Sequence, residues 1–134
     1  MSECPSPIGV LVADDEPDLL TLFDIALKDY GFLVWLAKSG EEVVEVYQQH
    51  QRAIDIVLLD VEMPGLDGPQ TLQVLRCLNP AVRACFMTGG CSKYDEPELL
   101  KQGAAHVFRK PFQLQDLAAL LRRLVTESAP RENK

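Results

Sequence analysis

The chain has 134 residues, 47% hydrophobic and 25% charged, enough apolar surface for one core and too much for a wholly disordered polymer. Its formal net charge of −7 argues against a surface that grips nucleic acid, which takes clustered Lys and Arg, and leaves open a basic protein surface or a cation. No apolar stretch approaches the ~20 residues of a membrane span, and the four cysteines (Cys4, Cys77, Cys85, Cys91) form no C-x-x-C pair, so a reduced, cytoplasmic chain without a zinc site is expected.

The first apolar run, Ile8 to Ala13, passes through Asp14-Asp15-Glu16-Pro17 into a helical stretch from about Asp18 to Tyr30. There Leu19, Phe23, Ala26, Leu27 and Tyr30 recur on one stripe, and Gly31 supplies the stop. Phe32 to Leu36 reads as the second strand. Ser39 and Glu42 form a capping box for a helix striped by Val43, Val46, Tyr47 and His50. The third strand, Ile56 to Leu59, ends on Asp60. A loop then leads to a helix striped by Leu72, Leu75 and Leu78 that stops before Pro80. Arg83 to Met87 is the fourth strand, with Cys85 as a core residue. The loop Gly89-Gly90-Cys91-Ser92 precedes a helix around Tyr94 to Gln102, ended by Gly103. Val107-Phe108 marks the fifth strand, and Leu114, Leu117, Leu120, Leu121 and Leu124 stripe the last helix.

Strands thus recur roughly every 23–28 residues with a helix between them, the alternation of a parallel sheet. The strands are apolar on both sides, so helices should cover both faces in a doubly wound α/β fold. Residues 8–127 form the expected domain, with tails at 1–7 and 128–134.

In open α/β sheets ligands bind at the carboxyl ends of the strands. Asp14 and Asp15 follow strand one, Asp60 ends strand three, Thr88 follows strand four and Lys110 follows strand five. Three carboxylates facing one lysine leave an uncompensated negative charge, which a hard divalent cation such as Mg²⁺ relieves. A carboxylate is also a nucleophile toward phosphorus, with a cation, an ammonium and a hydroxyl to stabilise the transferring group. Each residue has a plainer explanation. The acidic pair could cap the following helix, Asp60 could belong to the turn after it, Thr88 could end a strand, and Lys110 could be a solvated charge. Their coincidence at adjacent strand ends favours the functional reading.

These residues fall in segments that resemble the receiver domains of bacterial response regulators: Val12-Ala13-Asp14-Asp15-Glu16-Pro17, Asp55 through Gly68, Met87-Thr88-Gly89, Gly103-Ala104-Ala105 and Lys110-Pro111-Phe112. The resemblance runs from about Ile8 to Thr126. It implies a flavodoxin-like (βα)5 sheet of five strands in the order 2-1-3-4-5. It implies that Asp60 accepts a phosphoryl group from a histidine kinase or a histidine phosphotransfer protein. It further implies that Mg²⁺ is held by Asp15, Asp60 and the backbone carbonyl of Glu62, with Asp14 acting through water. Thr88 and Lys110 would hold the phosphoryl oxygens, Gly89 would leave the group accessible, and the Lys110-Pro111 peptide would be cis. Such a domain is not an enzyme beyond slow self-dephosphorylation. Its downstream effector is not named by the sequence, and the domain itself is expected to touch neither nucleic acid nor membrane.

One position departs from the pattern. Many receivers carry Tyr or Phe three residues before the lysine, and that ring turns inward on phosphorylation; here the position is Val107, with a stiff χ1 and no ring. Phe108 should face the opposite side of the sheet. The expected switch therefore runs through the Thr88 loop and the helix after it. Cys91 lies nearby, with nothing in sequence to activate it. Two other classes compete. A phosphatase of the haloacid dehalogenase type would carry D-x-D after the first strand, where this chain has Asp14-Asp15-Glu16. A phosphorylation-independent module of the same fold would be expected to have lost Asp60, Lys110 or the acidic pair.

Overall fold

The computed structural model describes residues 7–89 and 93–128. Five strands alternate with five helices: β1 Gly9–Ala13, α1 Pro17–Asp29, β2 Leu33–Ala37, α2 Gly40–His50, β3 Ile56–Asp60, α3 Gly68–Leu78, β4 Ala84–Thr88, α4 Glu96–Lys101, β5 His106–Arg109 and α5 Leu114–Ser128. All strand pairs are parallel, in the order β2-β1-β3-β4-β5.

Strand alternation divides the core into two layers. Leu11, Val57, Leu59, Phe86 and Val107 point to one side and meet Val43 and Tyr47 of α2, Leu72 and Leu75 of α3, and Leu99 of α4. Val10, Val12, Ile56, Leu58, Cys85, Met87 and Phe108 point to the other and meet Leu20, Phe23 and Leu27 of α1 with Leu117 and Leu121 of α5. Each fully buried aliphatic or aromatic side chain contributes about 1.5–3 kcal/mol to this sandwich. β1, β3 and β4 are buried throughout. β2 lies at the sheet's edge, and its first residue, Leu33, is exposed, so complete cover holds for the central strands only.

Several boundaries differ from those read in the sequence. β2 begins at Leu33, one residue later than expected, because Phe32 N–H donates to Leu27 O and closes the end of α1. Gly31 in that turn has φ +94°, which explains the glycine. Phe32 is buried all the same, so its hydrophobicity serves the cap rather than the strand. Tyr30 and His50 lie at the ends of their helices and are exposed, not part of the buried stripes; His50 instead stacks on Trp35 with ring centroids 5.3 Å apart. α4 is shorter than expected. Asp95 accepts from Glu98 N–H and the Glu98 side chain accepts from Asp95 N–H, so this capping box starts the helix after Tyr94.

Candidate functional site

The β3–α3 corner fixes Asp60. Val61 N–H donates to Met87 O and Gly68 N–H returns to Val61 O, both at 2.9 Å. A methyl group at Gly68 would lie 2.8 Å from Asp60 O, so glycine lets α3 start directly behind the strand end. At the neighbouring corner Lys110 N–H donates to Thr88 O at 2.8 Å, tying the exits of β4 and β5 together. The Lys110-Pro111 peptide is cis.

Asp14 is wholly buried and Asp15 is exposed. Neither caps α1: its N-cap is Glu16, whose side chain makes no capping bond, and Pro17 opens the helix. Asp14 Oδ1 instead accepts from Glu16 N–H at 3.0 Å, a local turn that leaves Oδ2 facing Lys110 Nζ at 3.1 Å. Lys110 Nζ also lies 3.6 Å from Asp60 Oδ1. Carboxylate oxygens of Asp14, Asp15 and Asp60 lie within 4.8 Å of one another, the one such acidic cluster among the described residues. The cluster opens onto a cleft of about 780 Å³ whose lining includes Asp15, Asp60, Glu62, Gly89 and Lys110.

Electrostatics follow from this crowding. Burial and the Asp14 charge push the Asp60 carboxyl up to about 7, against the opposing pull of Lys110 and a hydrogen bond from Glu62 N–H. Burial tends to discharge Lys110, but the charges of Asp60 and Asp14 outweigh it and raise its pKa. The ammonium is therefore held between two carboxylates and neutralises only part of their charge. An all-oxygen donor set with surplus negative charge, open on one side, fits a hard divalent cation that keeps some of its waters.

Five of the residues singled out in the sequence, Asp14, Asp15, Asp60, Thr88 and Lys110, thus meet at one edge. Glu62 and Gly89 line the same cleft. A Cβ at Gly89 would meet no described atom within 4 Å. Val107 is 5% exposed and lies in the layer of α2, α3 and α4, while Phe108 lies in the other layer between His106 and Phe112. The opposite-face expectation holds. Cys85 is buried, and burial pushes its thiol up to about 12; Gly90, Cys91 and Ser92 lie outside the described residues.

Two cleft residues were not found from the sequence as site residues. Asp67 caps α3 in a reciprocal box with Gln70. Its other carboxylate oxygen accepts from Tyr94 Oη at 2.9 Å. The Asp67-Gly-Pro-Gln70 spacing was a legible signal for the cap. The tyrosine contact spans 27 residues and leaves no local pattern.

The family model described as the response regulator receiver domain matches residues 10–122. The transcriptional regulatory protein ZraR of Escherichia coli O157:H7 is 36% identical over 121 residues, covering 90% of this chain and 27% of ZraR. TrcR of Mycobacterium tuberculosis, also named a transcriptional regulatory protein, is 35% identical over 124 residues, 92% of this chain and 48% of TrcR. The chain therefore spans half or less of these relatives. Among solved structures, a response regulator receiver domain protein from Clostridium thermocellum superposes with a TM-score of 0.85 at 27% identity, covering 91% of this chain and 97% of that one. A chain of the CheX–CheY–BeF3–Mg complex from Borrelia burgdorferi gives a TM-score of 0.76 at 28% identity, covering 90% of this chain and 88% of that one. Receiver domains belong to two-component systems, take up phosphoryl groups, bind Mg²⁺ at an acidic pocket and are generally not enzymes. Among the described residues no helix is long and apolar enough to cross a membrane. The chain belongs to the response regulator receiver domain family.

Proposed function

We propose that Asp60 takes a phosphoryl group from the phosphohistidine of a histidine kinase or histidine phosphotransfer protein. One Asp60 oxygen forms the new bond to phosphorus as the N–P bond to the donor imidazole breaks, and the imidazole nitrogen keeps the bonding pair. The observation that carries this reading is the pairing of a buried strand-end carboxylate, Asp60, with Lys110 Nζ at 3.6 Å, beside two further carboxylates.

The roles divide by position. Lys110 is drawn from Asp14 toward the added phosphoryl oxygens, and the Thr88 hydroxyl donates to them. Asp15, Asp60 and the Glu62 carbonyl would hold Mg²⁺ directly, with Asp14 acting through water. When bound, Mg²⁺ offsets the charge of the acidic cluster and of the phosphoryl oxygens. Residues 8–127 are the receiver unit. The product is one aspartyl phosphate, lost by slow hydrolysis rather than turned over on small esters. The signal leaves through the Thr88–Gly89 loop and α4 to an effector outside this domain. The transcriptional role named for ZraR and TrcR concerns proteins of which this chain matches only a part.

Intact-mass analysis after incubation with acetyl phosphate and Mg²⁺ tests the acceptor. Wild type should gain one phosphoryl group, and Asp60→Asn none, because an amide is a poor nucleophile. Labelling of Asp60→Asn at the wild-type level would overturn the assignment.

A further inference from the structure

The chain has three tyrosines, Tyr30, Tyr47 and Tyr94. Tyr30 is exposed beyond α1, and Tyr47 is buried with its hydroxyl accepting from Asn79 Nδ2 at 2.9 Å. Tyr94 is different in placement. It lines the acidic cleft, while its ring packs on the core layer that contains Val107 and Leu99. Its hydroxyl donates to Asp67 Oδ2 at 2.9 Å. Asp67 Oδ1 is engaged by Gln70 N–H at 2.9 Å, so the carboxylate is divided between capping α3 and holding Tyr94. This hydrogen bond joins the segment after β4 to the segment after β3. Those segments flank Asp60, and both residues share the cleft with it.

The neighbourhood makes the bond sensitive to charge. Lys93 Nζ lies 4.0 Å from Asp67 Oδ2 and 5.5 Å from the Tyr94 ring centroid, and its side chain is 74% exposed. It thus lies beside the bond and lines the same cleft as Asp60. A phosphoryl group on Asp60 brings up to about two negative charges and three acceptor oxygens into that space. These compete with Asp67 for Lys93 and repel the Asp67 carboxylate. The Tyr94–Asp67 bond then differs in energy between the free and phosphorylated chains, the condition for a modification to shift an equilibrium. Burial and the Asp67 contact raise the pKa of Tyr94, so its hydroxyl remains a donor at neutral pH. Val107, stiff at χ1 and closely packed, offers no comparable polar contact.

We propose that Tyr94 is a latch: its hydrogen bond to Asp67 pins the approach to α4 across the cleft in the unphosphorylated chain, and phosphorylation of Asp60 releases it. The released segment presents the start of α4 to the downstream protein. The latch rests on the receiver reading of Asp60 given above.

The test combines two measurements on wild type, Tyr94→Phe, Asp67→Asn and Tyr47→Phe. Intact mass after acetyl phosphate and Mg²⁺ reports phosphorylation, and hydrogen exchange of residues 93–101, with and without beryllofluoride and Mg²⁺, reports the latch. Loss of one hydrogen bond worth about 1 kcal/mol corresponds to roughly fivefold. Free Tyr94→Phe should therefore exchange about fivefold faster than free wild type over 93–101, and beryllofluoride should change it by less than half as much. Asp67→Asn keeps an oxygen for the α3 cap and an amide N–H that donates to Tyr94 Oη, so the free variant should exchange near the wild-type rate, and with the repelled charge gone beryllofluoride should change it by less than half as much. Tyr47→Phe should keep the full wild-type response. Phosphorylation in wild type and Tyr94→Phe with identical exchange in both overturns the latch alone. Failure of wild type to accept a phosphoryl group overturns the reading of Asp60, and the release step with it.

Discussion

The two ends of the sheet are built from similar residue types and treat charge in opposite ways. At the amino end Asp55 accepts from Gly9 N–H at 2.9 Å, and the Tyr47 hydroxyl accepts from Asn79 at 2.9 Å. Each of these two side chains is satisfied by a hydrogen bond across elements. At the carboxyl end Asp14, Asp15 and Asp60 face Lys110, and Asp60 is held near neutral pKa by burial and its acidic neighbour. Matched polar groups stabilise the closed end, while the surplus of carboxylates keeps the other end ready for a cation and a phosphoryl group. Function is concentrated where the fold leaves charge unbalanced.

The largest effect should come from breaking the closed end. A methyl group at Gly9 would clash with the backbone oxygen of Ala53, so the turn between α2 and β3 would have to shift. Gly9→Ala should cost upwards of about 4 kcal/mol, measured by denaturant unfolding. A loss below about 1 kcal/mol would mean that this end is looser than the structure indicates.

The open end should respond to metal. Mg²⁺ at a hundredfold excess over its Kd should stabilise wild type by about 2.7 kcal/mol, read as a rise in melting midpoint. Asp15→Ala should lose most of that rise. An equal rise in the variant would remove Asp15 from the site.

A smaller and opposite effect is expected from Asp60 in metal-free protein. Its carboxyl is raised from 3.8 to about 7 on folding. The protonated form therefore favours the folded state, a contribution fully present below about pH 4 and lost as pH rises through 7. Asp60→Asn has no such loss. Its advantage over wild type should grow across that window to on the order of 2 kcal/mol, allowing for solvent screening at the open cleft. An advantage that is constant with pH would show that the Asp60 charge is already compensated.

Much of this contrast was legible in the sequence. The βα alternation marks five units, and the rule about strand ends gathers Asp14, Asp15, Asp60, Thr88 and Lys110 at one edge of the sheet. The strand order entered through the family resemblance rather than through periodicity. Hydrophobic pattern failed at element ends: Phe32 is apolar because it seals a helix cap, and Tyr30 and His50 continue their stripes in sequence while standing exposed. The bond between Tyr94 and Asp67 was invisible for a different reason. It joins two loops through the three-dimensional packing of α3 and α4, and no spacing in the chain encodes it.

The central claim is that the surplus charge at the open end serves one nucleophile. It is tested most directly by trapping the acyl phosphate with borohydride, which reduces a phosphorylated aspartate to homoserine, and mapping the product by peptide sequencing. After acetyl phosphate and Mg²⁺, homoserine should appear at position 60 and be absent from positions 14 and 15. Homoserine at 14 or 15 with Asp60 intact would contradict the account.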